Sequence, residues 1–218
     1  MLYALSDDTP QPLLPQPFPG AFRDLMVHRL DSAIISYEMA QPKEFAPVKL
    51  ICGVIYKEDA LYDEVRRRLA AEWGSVDTES APFPFDLTGY YEDEMGPGLF
   101  RRFMSFETPI RPESLPEIKI RAIEIEDALR RERGVPGRPA NIDPGYLTAS
   151  ALVMATAKDF AHRIPLGGGI YAHLEFLFTK TGVKTLEWTY PDLRRELCQA
   201  YFRTVRETYL RRLRERAA

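Results

Sequence analysis

The hydrophobic rhythm of the chain changes near residue 47. Before it, residues 9–20 hold five prolines in twelve positions. Proline fixes φ and carries no N–H, so this stretch suits neither helix nor sheet. Residues 1–46 therefore read as a Pro-rich tail and N-terminal extension, and residues 47–218 as a single domain. Within the extension, Phe22, Leu25, Met26, Leu30 and Ala33 fit one helical stripe, although "AIISY" suits a strand equally well.

Beyond residue 47 the pattern alternates between strand and helix. "VKLICGVIY" (48–56) is a continuous apolar, β-branched run, as in a central strand buried on both faces. "EDALYDEVRRRLAAEWG" repeats Leu61, Val65, Leu69 and Trp73 every four residues and stops at Gly74, which predicts a helix. "FPFDLTGYY" (83–91) and "LFRRFMSFET" (99–108) are aromatic-rich strand candidates joined by the acidic loop "EDEMGPG". "SLPEIKIRAIEIEDALRRERG" (114–134) opens on a serine cap and sets Ile118, Ile125 and Leu129 on one side of a helix. "YLTASALVMATAK" then supplies an apolar strand.

The order over residues 48–157 is thus β-α-β-β-α-β, which matches a ferredoxin-like split βαβ core. "FAHRIPL", "GIYAHLEFLF" and "VKTLEWTY" follow at hairpin spacing, as a C-terminal antiparallel meander. Leu193, Leu197, Tyr201, Val205, Tyr209 and Leu213 recur every four residues and predict a long closing helix. The expected class is α+β, with the helices on one face of the sheet.

Composition narrows the function classes. The 218 residues are 45% hydrophobic and 28% charged, the balance of an ordinary globular domain. A net charge of −3 gives no basic signature, so nucleic acid is not the expected partner. No apolar run approaches the roughly 20 residues that cross a bilayer, so no membrane is expected. The first residues lack the features of a secretory leader. Cys52 and Cys198 lie far apart in apolar contexts, as buried thiols do in a reducing cytoplasm.

Five runs, "PVKLICGVIY", "FPFDLTGYYEDEMGPGLFRRFMSFE", "NIDPGYL", "AKDFAHRIPLGGGIYAHLEF" and "EWTYPD", resemble a bacterial family, the domain of unknown function numbered 4416. They extend over roughly residues 47–192, and the N-terminal 40 residues are additional to them. The resemblance implies no established activity, although some members are labelled GTP-binding. This chain has no G-x-x-x-x-G-K-[ST] and no G-x-G-x-x-G, so a nucleotide would be held by other means.

Four clusters could carry chemistry. If residues 170–178 are a strand, period two sets Tyr171, His173 and Glu175 on one face and Ala172, Leu174 and Phe176 toward the core. His173 and Glu175, with His162 across the Gly167–Gly169 turn, are the candidates for acid–base catalysis. The same row also suits a plain solvated sheet face. In "FDLTGYYEDEMGPGLFRRF", Asp86, Thr88 and Tyr90 share a strand face and Glu92, Asp93 and Glu94 crowd the turn. Asp86 and Glu94 could form a Mg²⁺-type carboxylate site; neutralisation of the loop by Arg101 and Arg102 is the plainer account. In "GRPANIDPGYL" the "DPG" reads as a turn, leaving Arg138 and Asn141 as donors to an anion. Lys158 and Arg163 add cationic groups beside His162.

Two functions follow. The first is the binding of a phosphorylated small molecule or nucleotide, with Arg101, Arg138, Asn141, Lys158, Arg163 and Tyr90 as ligand-binding residues, and with Mg²⁺-assisted hydrolysis or transfer as an extension. The second is a non-catalytic interaction module that meets a protein or RNA through its sheet face or its arginine-rich last helix. No H-x-[ST] pair, C-x-x-C, H-E-x-x-H or G-x-S-x-G motif is present.

Overall fold

A computed structural model describes residues 41–217, and the stripe expected over residues 22–33 lies outside the described residues. The strands are β1 (Lys49–Tyr56), β2 (Val76–Glu79), β3 (Phe83–Pro84), β4 (Phe100–Phe106), β5 (Asn141–Leu147), β6 (Ala151–Thr156), β7 (Ile164–Gly167), β8 (Ile170–Thr179) and β9 (Gly182–Thr185). The helices are α1 (Asp59–Trp73), the single turn α2 (Glu92–Met95), α3 (Leu115–Arg133) and α4 (Glu196–Ala217). Among the described residues the strands form one sheet in the order β2-β4-β1-β5-β6-β8-β7, with β3 on β4 and β9 on β8. Every neighbouring pair is antiparallel.

Residue alternation along β1 sorts the core into two layers. Leu50, Cys52, Val54 and Tyr56 pack against Leu61, Val65 and Leu69 of α1 and Ala122, Ile125 and Leu129 of α3. Ile51 faces the other way, into a layer with Phe103, Phe176 and Phe202 that α4 closes. Each fully buried large side chain contributes about 2 kcal/mol, and only burial on both faces lets a run as apolar as β1 be satisfied. The helices therefore cover both faces of the sheet, not one. The C-terminal meander is too apolar on its inner side to be left open, and α4 is what covers it.

The buried stripe of α4 is Cys198, Tyr201, Phe202, Val205 and Tyr209, while Leu197 is 47% exposed. A strict four-residue repeat drifts around a helix of 3.6 residues per turn, so Leu197 falls outside the contact.

Two strand expectations and one turn are corrected. The pairing with β4 ends where Phe85 donates its N–H to the Leu99 carbonyl, and residues 86–91 leave the sheet. Asp86, Thr88 and Tyr90 therefore share no strand face, and β2 takes the edge position. "YLTASALVMATAK" is not one strand but the β5–β6 hairpin, turning at Thr148–Ser150. "DPG" is not a turn: Asp143, Pro144 and Gly145 lie in β5 opposite Gly53, Cys52 and Ile51. Gly145 is there for clearance, since a Cβ would sit 2.5 Å from the Val153 carbonyl oxygen.

Candidate functional site

The β5–β6 ladder stops at Gly145↔Met154, although β5 follows β1 as far as Asn141 and β6 follows β8 as far as Thr156. Sequence chemistry explains the stop. Thr148 donates its N–H to Ala151, so the even-numbered residues of β5 aim their backbone groups at β6. The next such residue is Pro144, which has no N–H to give. After it, Ile142 turns to α3 instead, donating its N–H to Glu126 (2.6 Å) and accepting from Lys119 Nζ (2.7 Å). The two strands part, and Ala155 and Ala157 line the gap on the β6 side.

The gap opens into a cleft of about 540 Å³ that reaches from the α3 face to the α4 face. Lys119, Ile123 and Glu126 of α3 line one side. Asn141 and Asp143 of β5 and residues 154–158 of β6 and its extension form the walls. Arg101, His173, Tyr190 and Asp192 lie toward the other face, and Phe85, Tyr90 and Tyr91 of the β3–β4 connection cover the mouth.

The floor is a closed charge network. Arg101 is buried across Gly53 and over the Phe103 ring, 4.8 Å from its centroid, and pairs with Asp192 (2.8 Å) and Asp143 (3.3 Å). Asp143 also accepts from Asn141 (2.7 Å) and Lys119 (3.4 Å). Arg138 spans Glu94 (2.9 Å), Glu126 (3.3 Å) and the Asn141 side-chain oxygen (3.0 Å). Burial raises the Glu126 carboxyl, with Lys119 opposing. Against partial burial, Arg138 holds the Glu94 carboxyl below its usual range.

The mouth differs. Lys158 Nζ lies 3.7 Å from the centroid of the Tyr90 ring. Arg163 donates to the Lys158 carbonyl (2.7 Å) and to the Tyr190 hydroxyl (3.0 Å). Neither cation is paired with a carboxylate among the described residues. Five cationic side chains line the cleft against three carboxylates, and these two make up the excess.

Beside the mouth, β8 carries an irregularity that changes the expected faces. Val153 opposes Leu174 and Leu152 opposes Phe176, so Glu175 is an extra residue in the strand. His173 and Glu175 are 1% and 0% exposed. They point inward together with Phe176, and the expected solvated row does not form. Nδ1 of His173 is 3.6 Å from Oε1 of Glu175, and the other Glu175 oxygen accepts the Tyr190 N–H at 3.0 Å. Burial, then the charge of Arg163 and the nearby His162, push His173 down to about 4. Burial pushes Glu175 up to about 8, the Tyr190 N–H opposing. Burial and Arg163 also lower His162, which stacks on Trp188 (4.9 Å between centroids) and stands 4.7 Å from His173.

Residues 46–209 match the model of a family described as a domain of unknown function, DUF4416. The chain belongs to this family. No curated protein and no solved structure matches it.

Of the residues singled out in the sequence, the DUF4416 domain gathers Tyr90, Arg101, Arg138, Asn141, Lys158, Arg163 and His173 on the cleft, with Glu175 and His162 directly behind His173. Asp86 and Glu94 do not meet. Asp86 is largely exposed and pairs with Arg195, whereas Glu94 pairs with Arg138. Among the described residues no group of three or more His, Cys, Asp or Glu side chains is placed to hold a metal ion.

Sequence reading missed Lys119, Glu126, Asp143 and Asp192. Asp143 falls in the "DPG" that reads as a turn, and Asp192 stands just before the last helix. Lys119 and Glu126 had a visible signal: with Ala122 and Leu129 they share one side of α3, two opposite charges seven residues apart on an otherwise apolar stripe. Among the described residues no helix is long and apolar enough to cross a membrane.

Proposed function

We propose that the cleft of this DUF4416 domain binds a phosphorylated small molecule or nucleotide without a P-loop. One observation carries the reading. The buried side-chain polar atoms that lack a hydrogen-bond partner among the described residues belong to Arg101, His162, Arg163, His173 and Glu175, all on the cleft or directly behind it. Folded proteins pair their buried polar atoms, so a cluster of orphans marks a place where a ligand completes the set.

The charge pattern supports an anion as that ligand. Lys158 and Arg163 are cations without carboxylate partners beside an otherwise neutralised floor, and guanidinium geometry suits phosphate oxygens. The Tyr190 hydroxyl, accepting from Arg163, keeps its own proton to donate. Tyr90, Tyr91 and Ile123 supply apolar wall to the same cleft. The order β2-β4-β1-β5, with α1 and α3 on one face, supports reading the first half of the domain as a ferredoxin-like core that the meander extends.

The interaction-module reading has less behind it, because three arginines of α4 are engaged within the chain. Arg203 pairs with Glu196, Arg212 with Asp77, and Arg206 donates to Ala149.

Calorimetric titration of the full chain with inorganic phosphate, pyrophosphate and nucleoside phosphates tests the proposal. Arg163→Ala and Lys158→Ala should each weaken binding about tenfold, the loss of one charge-assisted contact. Unchanged affinity in both variants, or no binding by any of these anions, refutes it.

A further inference from the structure

His173 is ringed by groups that carry or hold a proton. On its own strand Glu175 stands 3.6 Å from Nδ1. From the turn before β7 come His162 and Arg163. From the turn before α4 come Tyr190, its ring 4.9 Å from the imidazole, and Asp192. Arg101 of β4 and Asp143 of β5 act on Glu175 from across the cleft. Met154, opposite on β6, is neutral.

Neither nitrogen of His173 makes a hydrogen bond of normal geometry, although the Trp188 backbone lies near enough to favour the imidazolium, and only one oxygen of Glu175 has a partner. Both groups are driven toward their neutral forms, so the couple is an imidazole beside a protonated carboxyl at neutral pH. What opposes an imidazolium here, after burial, is the charge of Arg163. That charge is one of the two cations assigned above to the ligand.

We propose that His173 and Glu175 are the proton-transfer couple of the cleft: an anion bound at Lys158 and Arg163 moves the Glu175 proton onto His173. The two side chains close from 3.6 Å to hydrogen-bond contact, the O–H bond of the carboxyl breaks, its electron pair stays on Oε1, and a new N–H bond forms at Nδ1. The resulting carboxylate keeps the Tyr190 N–H and is stabilised by Arg101, while the imidazolium gains from the anion that now cancels Arg163. Both ring nitrogens then carry protons, and the couple serves the bound molecule as a general acid, with His173 as the catalytic residue and Glu175 as the positioning residue. The inference rests on the anion-binding reading and goes beyond it.

Sulfate is the probe, because it has no proton equilibrium near neutrality. The full chain, labelled uniformly with ¹⁵N and ¹³C, is titrated with sodium sulfate at neutral pH, with sodium chloride as the ionic-strength control. Backbone-linked spectra assign the His173 ring and report on the amides of Lys158 and Arg163. The expected result is a shift of the His173 nitrogens from neutral-imidazole to imidazolium values with sulfate and not with chloride. Glu175→Gln should bind sulfate and lose that signature. A His173 ring that stays neutral while the Lys158 and Arg163 amides respond overturns the couple alone. An imidazolium that persists in Glu175→Gln removes Glu175 from it. Amides that do not respond overturn the anion-binding reading as well.

Discussion

Glu126 reaches from α3 to accept the backbone N–H of Ile142 at 2.6 Å, in the place where the neighbouring strand would otherwise stand. That contact substitutes a side chain for a sheet bond and keeps the gap between β5 and β6 from closing. Removing it leaves a buried N–H without an acceptor, which costs about 1–3 kcal/mol. Glu126→Ala should therefore lower unfolding free energy by that amount in urea titrations, while Glu126→Gln, which keeps a carbonyl oxygen, should lose less. Equal losses in the two variants would show that the acceptor is not what matters.

Asp143 answers both Arg101 and Lys119, two buried cations. Taking away one partner of a buried ion pair is far costlier than removing the pair, at about 3 kcal/mol or more. Asp143→Ala should be among the most destabilising single changes in the domain by thermal melting. Pairing it with Lys119→Met should recover part of the loss, and a purely additive double variant would count against the coupling.

Gly145 and Gly169 predict opposite kinds of cost. A Cβ on Gly145 would meet backbone, the Val153 carbonyl oxygen at 2.5 Å, and the Met154 sulfur at 2.6 Å. Overpacking of a closed ladder costs about 1–3 kcal/mol or more, so Gly145→Ala should be severe. Gly169 has open space around it and φ of +75°, so Gly169→Ala should cost only the left-handed backbone penalty of about 1 kcal/mol. Chemical denaturation of the two variants side by side checks the ordering.

The His173–Glu175 couple gives stability two pH limbs of opposite sign. Glu175 is raised from 4.5 to about 8 on folding, so the unfolded chain loses this proton first. Stability from Glu175 is full below about pH 4.5 and declines as pH rises toward 8. His173 is lowered from 6.5 to about 4, so its contribution is full above pH 6.5 and declines as pH falls toward 4. Melting temperatures across this range should show Glu175→Gln flattening the alkaline limb and His173→Gln flattening the acid limb. A Glu175→Gln curve parallel to that of the unaltered chain above pH 6 would remove the assignment.

Much of the fold was legible because long periodic runs answer to one constraint each. β1, α1, α3 and α4 follow directly from which positions must be apolar. What escaped was set by the partner surface. "DPG" has every local mark of a turn, yet β1 pairs with it throughout. The inserted Glu175 breaks the parity of β8, and nothing within residues 170–178 announces the break. Seven of the residues lining the cleft could be picked out from their polar types, among them Arg138, Lys158 and Arg163 at strand ends. Asp143 and Asp192 could not, because their partner, Arg101, lies 42 and 91 residues away.

The opening between β5 and β6 is propped by the reach of Lys119 and Glu126, not by the loops around it. Its bore is thus a dimension written into one helix. Shortening either prop would resize the opening while leaving the mouth untouched, so the width of the cleft and the charge at its mouth could drift independently as such domains diverge.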